Sequence, residues 1–149
     1  VGGFMTLVKR SRVVPFSCEQ MYELVNRIED YDRFLPYIAK GVVHHRDENE
    51  VQATLEIEAA GMTKSFTTRN RLQQNKMIEI RLVDGPFHHL EGFWRFDETS
   101  DGSMISFDLE FEFSSKMVSM FLGPIFEQIA DKMVDSFCER AKVCYEVVD

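Results

Sequence analysis

The sequence lacks any apolar run approaching the roughly 18 to 20 residues of a membrane span. It opens without the basic-then-apolar pattern of a secretory leader. Its three cysteines, Cys18, Cys138 and Cys144, are an odd set with no pair at CxxC spacing. That argues against a disulfide frame or a zinc site and fits a reduced, cytoplasmic setting. There is no glycine-rich phosphate loop, no nucleophile elbow, and no repeat, linker or low-complexity segment. A basic excess is missing too, since 17 Lys and Arg face 25 Asp and Glu for a net charge of −8. Such a field opposes docking on DNA or on an anionic surface, so a contact of that kind needs a local basic patch.

What is present suits one domain. The chain has 149 residues, 44% of them hydrophobic, with 13 Phe and 8 Met, which is ample for a core. Val1 to Phe4, ahead of Met5, read as an extension foreign to the natural chain, with residues 5–149 as the domain. The charge is uneven: residues 1–83 carry 12 Lys and Arg against 11 Asp and Glu, and residues 84–149 carry 5 against 14.

Residues 6–14 read as a first strand ended by Pro15. Ser17 with Gln20 forms a capping box, Phe16 and Met21 a hydrophobic staple, and Met21, Leu24, Val25 and Ile28 continue at helical spacing. A helix is therefore expected over residues 18–29, and a short helical turn over Asp30–Phe34. From there to residue 113 the period is two. Val51, Ala53, Leu55, Ile57 and Ala59 alternate with polar residues, as do Ile105, Phe107, Leu109, Phe111 and Phe113. Weaker strands fit residues 40–46, 64–73, 77–83 and 90–97, separated by turn signals such as Asp84-Gly85-Pro86. Residues 116–148 return to helical period through Met117, Phe121, Ile125, Ile129, Met133, Phe137, Ala141 and Cys144, with Val148 widening the stripe. Gly123-Pro124 inside it predicts a kink or break.

The order is one strand, two short helices, six strands and one long helix, an α+β pattern. A sheet of seven short-connected antiparallel strands with one apolar face needs a cover. Only the last helix, roughly 45 Å if unbroken, is long enough. A curved sheet gripping one helix leaves a seam where apolar ligands tend to bind. Parity points Phe66, Leu72, Leu90, Trp94, Phe96, Phe107, Leu109 and Phe111 inward, with Thr68 and Asn70 among them and Gly92 leaving room. Thr68 and Asn70 then either satisfy each other or face a ligand head group. The expected cavity combines Phe34, Leu35, Phe66, Thr68, Asn70, Gly92, Trp94, Phe107 and Phe111 with Phe121, Phe126, Met133 and Phe137 of the helix. Phe121 to Phe126, Phe34-Leu35-Pro36 and Pro86-Phe87 are expected to rim its mouth.

Several segments together resemble a known family. They are Tyr31-Asp32-Arg33-Phe34-Leu35-Pro36, Phe66-Thr67-Thr68-Arg69-Asn70, Leu82-Val83-Asp84-Gly85-Pro86-Phe87, Gly92-Phe93-Trp94-Arg95-Phe96, Phe111-Glu112-Phe113 and the stretch from Met133-Val134 to Arg140-Ala141. In this order, over Met5 to Val147, they resemble the bacterial RatA-type ribosome association toxins. Those are the bacterial branch of the coenzyme Q-binding proteins, within the START-like and polyketide cyclase superfamily. The resemblance implies the helix-grip fold and two functions. One is binding of ubiquinone or a related lipid in support of respiration, for which the apolar rim expected above would suit transient contact with the inner membrane. The other is binding of the large ribosomal subunit to block subunit joining. The sequence departs from the family pattern at His88-His89, where basic residues would be expected.

Catalytic chemistry has little to work with. Glu56, Glu58, Asp108, Glu110 and Glu112 fall on the outward parity, so no pair of inward acids suggests an enzyme. His44-His45 and His88-His89 are adjacent pairs whose members point to opposite faces of a strand. No Cys or carboxylate stands at ligand spacing to them, and no metal is expected. Lys64, Arg69, Arg71, Arg81 and Arg95 fall mostly on the outward parity. Arg69, Arg71 and Arg81 are the candidate contacts for an anionic partner such as ribosomal RNA. The expected protein is a non-enzymatic binding module with no cofactor beyond its hydrophobic ligand.

Overall fold

The computed structural model describes residues 5–145. The expected extension at Val1 to Phe4 and the expected helix end with Val148 lie outside the described residues. Strand β1 (Thr6–Val14) is followed by helix α1 (Cys18–Asn26) and a 3-10 turn (Ile28–Arg33). Then come β2 (Ile38–Arg46), β3 (Glu50–Ala59), β4 (Met62–Gln73), β5 (Met77–Asp84), β6 (Phe87–Glu98), β7 (Ser103–Phe113) and helix α2 (Lys116–Cys144). The seven strands form one sheet in the order β1-β7-β6-β5-β4-β3-β2, every neighbouring pair antiparallel. Strands β2 to β7 make a meander, because two- to four-residue turns join only adjacent antiparallel strands. The long route through α1 and the 3-10 turn returns β1 to the far edge, beside β7.

Local chemistry sets these boundaries. Ser17 Oγ accepts from the Gln20 amide at 3.1 Å, and the Ser17 amide donates to Gln20 Oε1 at 3.0 Å, closing the expected capping box of α1. Ser115 Oγ accepts from the Val118 amide at 3.1 Å and starts α2. The β5–β6 turn needs its glycine. Gly85 has φ +151°, and a Cβ there would lie 2.6 Å from that of Phe66.

Of the kink or break expected at Gly123-Pro124, the break does not occur, and the expected apolar stripe also needs correction. The helix runs unbroken from Lys116 to Cys144 with Pro124 inside it. Proline removes the hydrogen bond to the Met120 carbonyl, but Pro124 and Met120 are both exposed, so water can satisfy the freed carbonyl. The apolar stripe is also not buried throughout. Phe126, Ile129, Val134, Phe137 and Ala141 are buried, while Met117 and Phe121, near the start, are exposed.

Helix α2 covers the inner face of the sheet. Phe137 is 0% exposed, with its ring 5.3 Å from that of Trp94 and 5.2 Å from that of Tyr31. Trp94 in turn lies 4.5 Å from Phe107. Such ring contacts add to area burial, and they pin the helix above β6 and β7. Arg12 reaches Asp135 at 3.2 Å and Glu139 at 3.7 Å, and Arg10 pairs with Asp131, tying the same helix to β1.

Candidate functional site

Between the sheet and α2 lies a cavity of about 60 Å³. The sheet supplies its floor. Ala53, Leu55 and Ile57 come from β3, and Phe66, Thr68 and Asn70 from β4. Ile78 and Ile80 come from β5, Leu90 and Trp94 from β6, and Phe107 and Leu109 from β7. Phe126, Ile129, Ala130 and Met133 of α2 form the roof. Val25, Ile28, Tyr31 and Ile38 close the side beneath α1. The space suits a few water molecules, whereas drug-sized ligands occupy pockets of roughly 300 to 1,000 Å³. A ring or chain enters only if α2 moves away from β3 and β4. The half-buried Met133 in the roof is the most adaptable side chain there.

Polar atoms are scarce in this wall. Thr68 is buried, and its hydroxyl donates to Asn70 Oδ1 at 3.0 Å. The Asn70 amide nitrogen has no protein partner among the described residues, although Asn70 is only 7% exposed. Thr68 and Asn70 thus leave the Asn70 amide nitrogen as a donor in the cavity wall that a bound acceptor could use. The Tyr31 hydroxyl donates to the Val25 carbonyl, and burial pushes its pKa above the usual tyrosine value.

A second space lies beyond the first. A groove of about 170 Å³ runs between the β3–β4 hairpin and the first turns of α2, lined by Ala59, Met62, Met117, Phe121, Leu122 and Ile125 among others. Ile57 lines both the cavity and the groove, so the two spaces adjoin at that residue. Exposed Met62, Met117, Met120 and Phe121 surround the opening. Tyr37, also exposed, sits nearby at φ +62° and accepts a hydrogen bond through its carbonyl from the Glu58 amide at 2.9 Å. A non-glycine residue in that region is strained and persists only where its surroundings fix it.

The structure brings seven of the thirteen expected cavity residues to the cavity wall: Phe66, Thr68, Asn70, Trp94, Phe107, Phe126 and Met133. The other six lie elsewhere. Phe121 is 62% exposed and belongs to the groove. Phe137 and Phe111 stand one layer behind, Phe111 with its ring 4.8 Å from Phe126. Phe34 and Leu35 back the wall from outside, Phe34 with its ring 5.0 Å from Phe137 and the Arg140 guanidinium 5.3 Å above it. Gly92 leaves no room of its own, because Leu109 Cδ1 and Ile80 Cδ1 would sit 3.0 and 3.4 Å from its Cβ. Phe87, expected at the rim, is buried and stacked on Phe113 at 5.0 Å.

The outer face carries the charges. Arg69 reaches Glu50 at 3.5 Å, and Arg81 reaches Glu79 at 2.8 Å and also pairs with Glu91. Arg71 is exposed opposite Glu79. Lys64 differs from its expected outward place. It shares the parity of Phe66 and lines the groove. The histidines are dispersed among separate partners, His44 with Thr54, His45 with Asp47 and His89 with Glu110. Strand pairing nevertheless does what linear spacing concealed. It sets Glu91 opposite Glu110, and a bulge between Phe87 and His89 brings the His89 ring alongside. These three place ligand-type atoms within 4.8 Å of one another, with Arg81 already bound to Glu91.

A curved antiparallel sheet closed on one long helix, with an apolar cavity at the seam, is the helix-grip architecture of START-like proteins. The Zhui aromatase/cyclase from a Streptomyces species shares it with a TM-score of 0.80 at 15% identity, over 93% of this chain and 94% of that one. The sequence pattern of the family described as polyketide cyclase / dehydrase and lipid transport matches residues 14–138, and the chain belongs to that family. It is 41% identical over 142 residues to the ribosome association toxin RatA of Vibrio cholerae, covering 95% of this chain and 99% of that protein. It is 26% identical over 140 residues to the mitochondrial coenzyme Q-binding protein COQ10 of Dictyostelium discoideum, covering 91% of this chain and 68% of that protein. Among the described residues no helix is long and apolar enough to cross a membrane.

Proposed function

We propose that the protein is a non-enzymatic carrier of a hydrophobic molecule, a quinone of the ubiquinone kind or a related lipid. It holds that molecule between sheet and α2 and exchanges it during transient contact with the cytoplasmic face of the inner membrane. The observation that carries this reading is an apolar cavity that adjoins, at Ile57, a largely apolar groove whose rim exposes Met62, Met117, Met120 and Phe121. A wall of this kind rewards apolar atoms at about 0.8 kcal/mol per buried CH₂. Among the described residues it contains no carboxylate, lysine, arginine or histidine that could move a proton. The relative named as a coenzyme Q-binding protein supports the quinone as ligand class. The decisive measurement is mass spectrometry of an organic extract of the purified protein, beside titration with ubiquinone while Trp94 fluorescence is followed. Trp94, the only tryptophan, lines the cavity. Co-purified quinone or lipid with saturable quenching is expected. A clean extract and an unresponsive Trp94 would end the carrier reading.

A second reading has its own support. The relatives named as ribosome association toxins reach 41% identity, above the coenzyme Q-binding relative. On that reading the protein binds the large ribosomal subunit, and Arg69, Arg71 and Arg81 would face the RNA. Arg81 is held between Glu79 and Glu91, and the net charge of −8 opposes RNA, so we place this reading second. Co-sedimentation with large subunits, lost when Arg69 and Arg71 are reversed in charge, would raise it to first.

A further inference from the structure

We infer that the ligand is a tailed molecule that enters head first, that its head is neutral with a hydrogen-bond-accepting oxygen read by the Asn70 amide, and that its chain leaves past Ile57 through the groove. This deepens the carrier reading above and rests on it.

Three observations carry the inference. The first is the Asn70 amide. Its oxygen is taken by the Thr68 hydroxyl at 3.0 Å, which turns the NH₂ group into the role of free donor on the cavity wall. Asn70 is 7% exposed and lines the cavity, so a molecule held there can reach that donor. An oxygen acceptor satisfies it, and an alkyl chain does not. The second is the absence of charge. Among the described residues the wall is apolar except for Thr68, Asn70 and the Tyr31 hydroxyl, which is committed to Val25. A carboxylate or phosphate head at the inner end would be desolvated with no counter-ion, a cost that excludes it. The third is the relation of the two spaces. The inner one, about 60 Å³, holds the Asn70 donor, and the outer one, about 170 Å³, is apolar apart from Lys64 and opens to solvent. Both meet at Ile57. Once α2 has moved away from β3 and β4 to admit a ring, a head inside and a chain outside satisfies each.

The competing arrangement places an alkyl tail inside and an anionic head at Lys64 on the groove. It leaves Asn70 facing methylene groups, the pairing that a site with a buried donor rejects most strongly.

The test compares three probes by calorimetry on the full chain. They are decylubiquinone, decylbenzene, which has the chain and a ring but no oxygen, and palmitate at neutral pH. Decylubiquinone is expected to bind at least about tenfold more tightly than decylbenzene, the order of one buried hydrogen bond. In Asn70→Leu, checked for an unchanged far-UV spectrum, the two are expected to converge within about threefold. Thr68→Val, which keeps shape and loses the hydroxyl that orients the amide, should narrow the ratio while leaving decylbenzene affinity alone. A merely structural role for Thr68 would weaken both probes together. Equal binding of both ring probes to wild type, unaffected by Asn70→Leu, overturns head recognition and leaves carriage standing. Palmitate binding most tightly, and losing affinity in Lys64→Ala instead of Asn70→Leu, overturns the head-in orientation. If none of the three binds, the carrier reading itself fails, and this inference with it.

Discussion

The two halves of α2 use the same kind of residue for opposite purposes. After Pro124 most of the large apolar side chains face the sheet: Phe126, Ile129, Val134 and Phe137 are all buried, and Val143 near the end is the exposed exception. Before Pro124 they include Met117, Met120 and Phe121, exposed by 70%, 79% and 62%. A monomer gains nothing in stability from three large apolar groups in water, and clustered around an opening they mark a contact surface. The inner half therefore holds the fold and roofs the cavity, while the outer half is set up for something that approaches the groove.

The largest expected effect tests that contrast directly. Phe137→Ala removes a fully buried ring in contact with Trp94, Tyr31 and Phe34 and should cost about 3 to 5 kcal/mol in urea melts. Phe121→Ala should stay within about 0.5 kcal/mol of wild type. Similar losses for the two would erase the distinction between the halves. Next in size is the joint between them. Pro124→Ala restores a backbone donor in a helix that is already continuous, so it should stabilise by about 1 to 3 kcal/mol. A destabilised variant would mean that the proline relieves strain that the unbroken helix conceals. The outer half is then tested by function: Met117→Asp with Phe121→Asp should leave the melting temperature within a few degrees of wild type. It should also reduce co-flotation with vesicles of neutral phospholipid. Unchanged flotation would remove the membrane from the account.

Much of this architecture was legible because it depends on short-range rules. The capping box at Ser17 and Gln20 needs only residues three apart, and the alternation in β3 and β7 needs only a period of two. The inward placement of Thr68 and Asn70 followed from the same period. What escaped depends on which surfaces meet. Helical period alone could not show that the stripe of α2 outruns the sheet, leaving Phe121 outside. Lys64 has the parity of Phe66, which puts it on the groove and outside the outward basic stripe. Gly92 looked like space because it has no side chain, yet Leu109 and Ile80 fill that space from neighbouring strands. The approach of His89, Glu91 and Glu110 needed the β6–β7 register and its bulge, neither of which sequence spacing contains.

The smallest expected effect concerns the clamp behind the cavity, where the inner region meets β2. Arg46 binds Glu29 through two hydrogen bonds of 2.9 Å, and its guanidinium also donates to the Asn26 carbonyl at 2.9 Å. Together these hold the end of α1 and the 3-10 turn, which carry Val25 and Ile28 to the cavity side. The hydrogen bond from Arg46 is the leading reason that the Glu29 pKa lies below the ordinary carboxylate value. A carboxylate with a lowered folded-state pKa adds stability above its unfolded pKa, about 4.3, and loses it as the pH falls through the folded value. Both side chains are about two-fifths exposed, so solvent limits the contribution to under about 1 kcal/mol. Glu29→Gln should therefore be slightly less stable than wild type at pH 7. The gap should close as the pH falls below the unfolded value of about 4.3 and on through the lowered folded value, where wild-type Glu29 takes up its proton. A gap that does not narrow at all as the pH falls below about 4.3 would show that the glutamine fails for reasons of shape and that the Arg46 ion pair contributes nothing to holding the cavity wall.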